Sequence, residues 1–296
     1  MKILLFGKNG QLGWELQRSL ALLGEVVALS REDPGGDLAQ PEALRQAVRA
    51  VAPDVIVNAA AYTAVDLAER EPQQAEAINA LAPQVLAEEA LSLDAWLVHY
   101  STDYVFDGSG NRPWREDDAT APLSVYGSSK LEGERRIRAS GAKHLILRTS
   151  WVYGAHGQNF LKTMLRLGTE RERLTVVDDQ IGAPTGAELL ADATAHALRQ
   201  ATLGSAAFSG LYHLTASGEA SWFDYARHAL ASAHAIDPAL RIANVEPIPT
   251  SAYPTPARRP LNSRLDTSHF QQIFGLHLPD WRQGVDRTVT ELLARR

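Results

Sequence analysis

The chain contains no cysteine. That excludes disulfides, thiolate metal sites and a cysteine nucleophile, and it suits a reducing compartment. Long apolar runs are missing as well. After Met1 and Lys2 the apolar stretch lasts only from Ile3 to Gly7 before Lys8 and Asn9, far short of a signal-peptide core or of the ~20 residues that cross a bilayer. The expectation is a cytoplasmic protein with no membrane partner. Nor is there a surplus of positive charge: 29 Lys and Arg stand against 35 Asp and Glu, a formal charge of −6. Binding along a nucleic-acid backbone needs clustered cations that release counterions, so no nucleic-acid partner is expected. Internal repeats and low-complexity stretches are also absent.

What is there is core material. With 45% hydrophobic residues over 296 positions, the chain can fill a core without staples. Its first half alternates short apolar runs with helical patterns, the signature of a parallel sheet covered on both faces. Strands are predicted at 2–6, 26–29, 55–58, 96–101 and 145–149, and helices at 11–23, 41–50, 71–90 and 126–140. Beyond Trp151 the pattern loosens into a strand at 174–177, a helix at 187–200, a strand at 211–214 and helices at 222–233 and 280–293. The fold class is therefore α/β, a Rossmann-type doubly wound parallel sheet with a smaller α/β substrate-binding domain. Residues 1–150 form the nucleotide-binding part, joined by about 186–215; residues 151–185 and 216–296 form the substrate part. The stretch 247–260, with five prolines, reads as a stiff connection over a pocket.

The first strand runs directly into Gly7-Lys8-Asn9-Gly10-Gln11-Leu12-Gly13, a G-x-x-G-x-x-G cradle that opens the first helix. Gly7 permits a tight turn, Gly10 lets backbone N–H groups approach a pyrophosphate, and Gly13 lets the helix pack closely, with its N-terminus facing the anion. The second strand ends at Ser30-Arg31, where many dinucleotide folds place an acid for the ribose. An arginine there can pair with a 2′-phosphate and favours NADPH over NADH; a solvated surface arginine is the plain alternative, and Asp33 and Asp37 remain available to the adenosine half. Asp37-Leu38 could flank the adenine. Ala61-Tyr62-Thr63, following the third strand, would let the ribose and nicotinamide lie against backbone.

Tyr126-Gly127-Ser128-Ser129-Lys130 puts a phenol and an ammonium at i and i+4, on one helix face. A nearby ammonium moves a phenol's pKa towards the working range for proton donation to a carbonyl. The spacing alone is weak. Its weight comes from Ser101-Thr102-Asp103-Tyr104 at the end of an apolar strand, where an open parallel sheet places its site. Thr102 can donate to the carbonyl oxygen that Tyr126 protonates.

With these residues assembled, the chain resembles the extended short-chain dehydrogenase/reductases, and among them the dTDP-4-dehydrorhamnose reductase group. The segments that carry the resemblance are GKNGQLGWEL, VNAAAYTAVDLAE, HYSTDYVFDG, VYGSSKLEGE, RTSWVYG, QIGAPTGAELLAD and YPTPARRPLNSRLD. The resemblance implies reduction of the 4-keto group of a dTDP-4-keto-6-deoxy sugar by NADPH, with NADH also accepted. It assigns proton donation to Tyr126, tuning and ribose contact to Lys130, carbonyl orientation to Thr102, and sugar contacts to Asp103 and Trp151. Asn159, Arg258 and Arg259 are further candidates for the nucleotide sugar. Relatives that dehydrate such sugars carry a glutamate where this chain has Tyr104, which favours simple reduction. The group is also described as a homodimer with structural Mg²⁺ on glutamates at a subunit interface, here Glu15, Glu188 and Glu291, each of which reads equally well as a solvated helix residue. Two other readings stay open: a reductase of another 4-keto nucleotide sugar, and a non-catalytic NADP-binding subunit.

Overall fold

The computed structural model, which describes residues 1–204, 206–241 and 244–294, is built around a six-stranded sheet. In chain order its principal elements are β1 (Lys2–Phe6), α1 (Gln11–Leu20), β2 (Glu25–Leu29), α2 (Pro41–Val51), β3 (Val55–Asn58), and α3, assembled from Pro72–Glu76, a π-turn Ala77–Leu81 and Ala82–Ser92. There follow β4 (Trp96–Thr102), α4 (Val125–Ser140), β5 (Lys143–Thr149), α5 (Phe160–Glu170), β6 (Arg173–Val177), α6 (Ala187–Leu203), β7 (Gly210–His213), α7 (Trp222–Ile236), β8 (Asn244–Ile248) and α8 (Trp281–Ala294).

The sheet runs β2-β1-β3-β4-β5-β7, and every pairing in it is parallel. This is the doubly wound sheet that the alternating pattern predicts. Strands covered on both faces read as continuous apolar runs, and β3 and β4 are buried along their whole length. The strand order reverses between β1 and β3, which opens a crevice at the C-terminal ends of the strands.

Two cores flank the sheet. On one side Leu12, Leu16 and Leu20 of α1 pack with Leu190 and Leu198 of α6 and with Phe270 and Phe274 of a short helix, Ser268–Phe274. On the other, Leu44 and Val48 of α2, Leu86 of α3 and Ile137 of α4 cover Leu4, Phe6 and Ile146. A third core joins Leu161 and Met164 of α5, Leu174 of β6, Tyr225 of α7 and Trp281 and Val285 of α8. The segment from α6 to β7 thus belongs to the sheet, as does the short helix at 268–274.

Several local departures from the predicted elements have physical causes. The helix α1 stops at Leu20 instead of 23. Gly24, which follows it, is required by a close approach: a Cβ there would lie 1.9 Å from the Met1 carbonyl oxygen. Within α3, Pro83 has no N–H to give the Asn79 carbonyl and its ring would crowd that oxygen; the helix relaxes through the π-turn just before it. The freed carbonyl faces α4, where a Cβ on Gly133 would approach it to 2.2 Å. The first residues of the proline-bearing stretch form β8, which pairs in parallel with β6, Pro247 opposite Val176. In this two-stranded sheet, both strands are edges, where a missing N–H is tolerated. No helix among the described residues is long and apolar enough to cross a membrane.

Candidate active site

A cavity of ≈590 Å³ fills the crevice. It is lined by Gly7, Gly10, Gln11 and Leu12 after β1, by Ser30, Arg31, Asp37 and Leu38 after β2, by Ala61, Tyr62 and Thr63 after β3, and by Tyr126 and Lys130 of α4. Of the residues predicted to hold a dinucleotide, only Gly13 stands behind the wall. The backbone explains its need: Gly7 sits at φ +92°, and a Cβ on Gly13 would come 2.0 Å from the Gly7 carbonyl oxygen. Gly13 therefore lets the helix close on its own loop as much as on the sheet. The N-cap of α1 is Gly10, with no side-chain cap, so the first N–H groups of the helix are left for an anion at the cavity mouth.

At the adenosine end the two carboxylates are already engaged. Asp33 accepts from Ser30 N at 2.7 Å and Ser30 Oγ at 2.8 Å, and lies 2.7 Å from Lys8 Nζ. Lys8, with Ser30, holds its carboxyl well below the usual range. Asp37 accepts from Ala39 N at 3.1 Å and sits 3.8 Å from Arg31 Nε. Asp33 is thus drawn onto Lys8 and Ser30, whereas Asp37 and the 75% exposed Arg31 side chain both line the cavity.

The chemistry-bearing end combines β4 with α4. Ser124 caps α4 by accepting from Gly127 N at 3.2 Å, which fixes the turn from which Tyr126 projects. The Tyr126 phenol lies close to the Thr102 hydroxyl. Thr102 Oγ1 in turn donates to Asp103 Oδ1 at 3.1 Å and accepts from Tyr104 N at 3.2 Å. Burial pushes the Tyr126 phenol up to about 12, against the Thr102 hydroxyl and with the Asp103 charge. It is a stably protonated acid. Lys130 is aimed elsewhere than the i, i+4 geometry suggests: Nζ donates to the Tyr100 carbonyl at 2.5 Å and lies 3.3 Å from His99 Nε2. Burial pulls it down to about 8, while Glu134 works in the opposite direction.

Asp103 is 2% exposed; burial raises its carboxyl to about 6 against hydrogen bonds from Ser263 and Thr102. Its Oδ2 has no partner. Arg259 donates through Nη2 to Asp66 Oδ2 at 2.6 Å and lies close to Tyr104, while its buried Nη1 is also without a partner. Adjacent Arg258 is exposed, so of the pair it is Arg259, with a side chain 18% exposed, that turns inward. Trp151 has φ +49°. Its indole packs against Gly182, where a Cβ would meet the ring at 2.8 Å, and stacks on Trp222 at 3.7 Å and 15°.

Two predicted contacts do not join this centre. Asn159 is the N-cap of α5, accepting from Lys162 N at 3.0 Å, and its amide donates to Gln11 Oε1 and the Gly154 carbonyl, both at 2.8 Å. It braces the glycine cradle. The three glutamates expected for Mg²⁺ interact through their charges, but no group of three acidic or histidine side chains among the described residues is arranged to hold a metal ion. Glu188 lies 3.6 Å from Arg287 and Glu15 3.3 Å from Arg18, so within this chain two of the three carboxylates face arginines and the Mg²⁺ expectation finds no support.

Sequence reasoning missed several residues. Asn79, in the π-turn, accepts from Tyr62 N at 2.8 Å and donates to the Tyr62 carbonyl and to Ser129 Oγ, both at 3.0 Å. It ties the cavity wall to the helix that carries Tyr126. His99, Ser263 and Trp222 were missed too. The available signal for Asn79 was Pro83 four residues later inside a helical pattern.

The whole chain has counterparts. The RmlD substrate binding domain family matches residues 1–294. A dTDP-4-dehydrorhamnose reductase of Escherichia coli (strain K12) is 56% identical over 294 residues, covering 99% of this chain and 98% of the relative. Among solved structures, a dTDP-4-dehydrorhamnose reductase from Clostridium acetobutylicum superposes with a TM-score of 0.90 at 36% identity, covering 99% of this chain and all of its own. One from Bacillus anthracis, in complex with NADP, gives 0.89 at 35% identity over 98% and 99%.

Proposed function

The chain belongs to the RmlD substrate binding domain family, and on that premise we propose that it reduces the 4-keto group of dTDP-4-dehydro-6-deoxy-L-mannose to give dTDP-L-rhamnose, with Tyr126 as proton donor. The observation that carries the reading is the Tyr126–Thr102 hydroxyl pair at the head of a dinucleotide-sized cavity, next to a buried acceptor, Asp103 Oδ2, and a buried donor, Arg259 Nη1, that lack partners. Such groups cost folding energy unless a polar ligand completes them. Sugar hydroxyls and a diphosphate have the required donors and acceptors.

NADPH supplies a hydride to the carbonyl carbon. The glycine cradle and the N-terminus of α1 fit its pyrophosphate, and Ser30 and Arg31 fit its adenosine end, with Asp33 withdrawn onto Lys8. Tyr126 delivers its proton to the carbonyl oxygen as the hydride arrives, and the phenolate regains a proton from solvent. Thr102 orients that oxygen once its own proton turns from Asp103. Lys130, charged, anchors the cofactor ribose and steadies the transient phenolate, so reduction weakens as Lys130 loses its proton. Trp151, backed by Gly182 and faced by Trp222, forms the aromatic wall of the sugar site. The reading extends to a cytoplasmic homodimer serving rhamnose-containing surface polysaccharide; the stacked pair Trp14 and His156, with Trp14 53% exposed, offers an apolar patch for a second copy.

The test is a nicotinamide absorbance assay with enzymatically prepared dTDP-4-keto sugar. Tyr126→Phe is expected to keep cofactor affinity and to lose at least ~10²-fold in turnover, the scale of a lost general acid. A Phe variant with near-normal turnover refutes the role.

A further inference from the structure

The reaction as described leaves two buried titratable groups of β4 unused, His99 and the Tyr100 phenol, and the phenol is taken up by Thr194. His99 is 1% exposed and lies on the same strand face as Ser101, whose hydroxyl meets Glu134 of α4. Each of its ring nitrogens faces another nitrogen: Nδ1 is 3.2 Å from Asn58 Nδ2, and Nε2 is 3.3 Å from Lys130 Nζ. A neutral imidazole has one N–H and one lone pair, so it can accept from only one of these neighbours.

Asn58 decides which. Its Oδ1 accepts from Ala60 N at 3.2 Å, so the amide turns its NH₂ to the ring and Nδ1 must accept. The ring proton then sits on Nε2 and points at Lys130. Burial, reinforced by the charge of Lys130, keeps the imidazole neutral. Against Nε2–H an ammonium meets donor with donor, whereas a neutral amine accepts.

We propose that His99 is a positioning residue for the reaction: with its tautomer set by Asn58, it presents Nε2–H to Lys130 and favours the neutral amine, so that the lysine gives up its proton at a lower pH. This rests on the reading of Lys130 as part of the reductase machinery. The other groups around the lysine are accounted for. On its own helix Glu134 favours the ammonium, although Arg148 of β5 and Ser101 of β4 already bind that carboxylate. Tyr126 lies one turn earlier, its phenol close to the Thr102 hydroxyl. Tyr100 offers only its carbonyl, since its phenol pairs with Thr194 of α6 at 2.7 Å. Asn58 of β3 is uncharged. His99 and burial therefore act against Glu134.

Two measurements test the proposal. Nitrogen-15 imidazole spectra of the wild-type protein should show His99 with Nε2 protonated and Nδ1 bare, unchanged across neutral pH; an Nδ1–H tautomer overturns it. In His99→Gln the new side chain can turn a carbonyl to Lys130. The alkaline limb of kcat, at saturating NADPH and dTDP-4-keto sugar, should then move up by about one pH unit. A merely structural role would lower kcat at every pH and leave the limb in place, and an unmoved limb in the folded variant overturns the proposal. Should His99→Gln not fold, the wild-type tautomer decides alone. If the wild-type protein reduces no such sugar, the functional reading fails while the tautomer result still stands.

Discussion

Replacing Glu134 by Gln should cost both stability and alkaline activity, and the structure sets the size of each effect. The Glu134 and Arg148 side chains are 2% and 3% exposed. The arginine donates to both carboxylate oxygens, through Nε at 2.8 Å and Nη2 at 2.7 Å, and Ser101 Oγ adds a third contact at 2.5 Å. The substitution keeps the shape of the side chain and removes its charge, leaving the guanidinium buried with only the Phe106 ring, 5.0 Å away, and a neutral amide to stabilise it. Breaking one side of a buried pair costs ~3–5 kcal/mol; retention of one hydrogen bond puts this variant at the lower end, about 3 kcal/mol. For a chain of this size that is a fall of about 5 °C in Tm. Urea titrations at neutral pH measure it by linear extrapolation. The pair Glu134→Leu with Arg148→Met, which removes both charges, should recover most of the loss. A single variant within ~1 kcal/mol of wild type, or a double variant as unstable as the sum of the singles, would refute the reasoning. Because Glu134 favours the charged form of Lys130, its loss should also move the alkaline limb of kcat down, opposite in sign to His99→Gln.

Two further outcomes follow from the same geometry. Arg31→Ala removes a 75% exposed cation, so solvent screening limits the effect to about 5–10-fold in kcat/KM for NADPH, with NADH changed less than ~2-fold; steady-state comparison of the two cofactors checks it, and equal losses would sink the 2′-phosphate assignment. Asp103, raised to about 6 by burial, destabilises the folded protein above that pH by about 2–3 kcal/mol, a penalty that fades as pH falls towards the unfolded value near 4. Asp103→Asn should therefore gain about 2 kcal/mol near pH 8 and nothing near pH 4 in urea titrations, while losing activity; equal gains at both pH values would show that its carboxyl is not strained by burial.

How much of this was legible in the sequence depends on whether a residue's partners are local. Strands β1, β3 and β4 announced themselves because burial on both faces forces unbroken apolar runs, and the cradle from Gly7 to Gly13 did so because its constraints lie within one turn of backbone. The sheet order and the cavity wall follow from those elements. In contrast, α5 went unread although its start was in view: Asn159 looked like a polar ligand in a loop, and the structure makes it a helix cap, the commoner use of an asparagine that precedes an amphipathic run. Likewise, Pro247 argued for a connection where β8 forms, because nothing local says that a strand will lie at an edge.

For the proposed active centre, the sequence showed which residues to bring together and not their hydrogen bonds. Tyr126, Thr102 and Lys130 were identified from type and spacing, yet the lysine's direction depends on Tyr100 and His99, some 30 residues away, and the histidine's own tautomer depends on Asn58, a further 41 away. Asn79 bridges Tyr62 and Ser129 across separations of 17 and 50. Periodicity carries no trace of such bonds, because a buried polar side chain is constrained by the geometry of its partners and not by their order in the chain. The residues that set the reaction's pH dependence are therefore those that sequence reasoning is least able to find, and the opposed shifts expected for Glu134→Gln and His99→Gln measure that hidden layer directly.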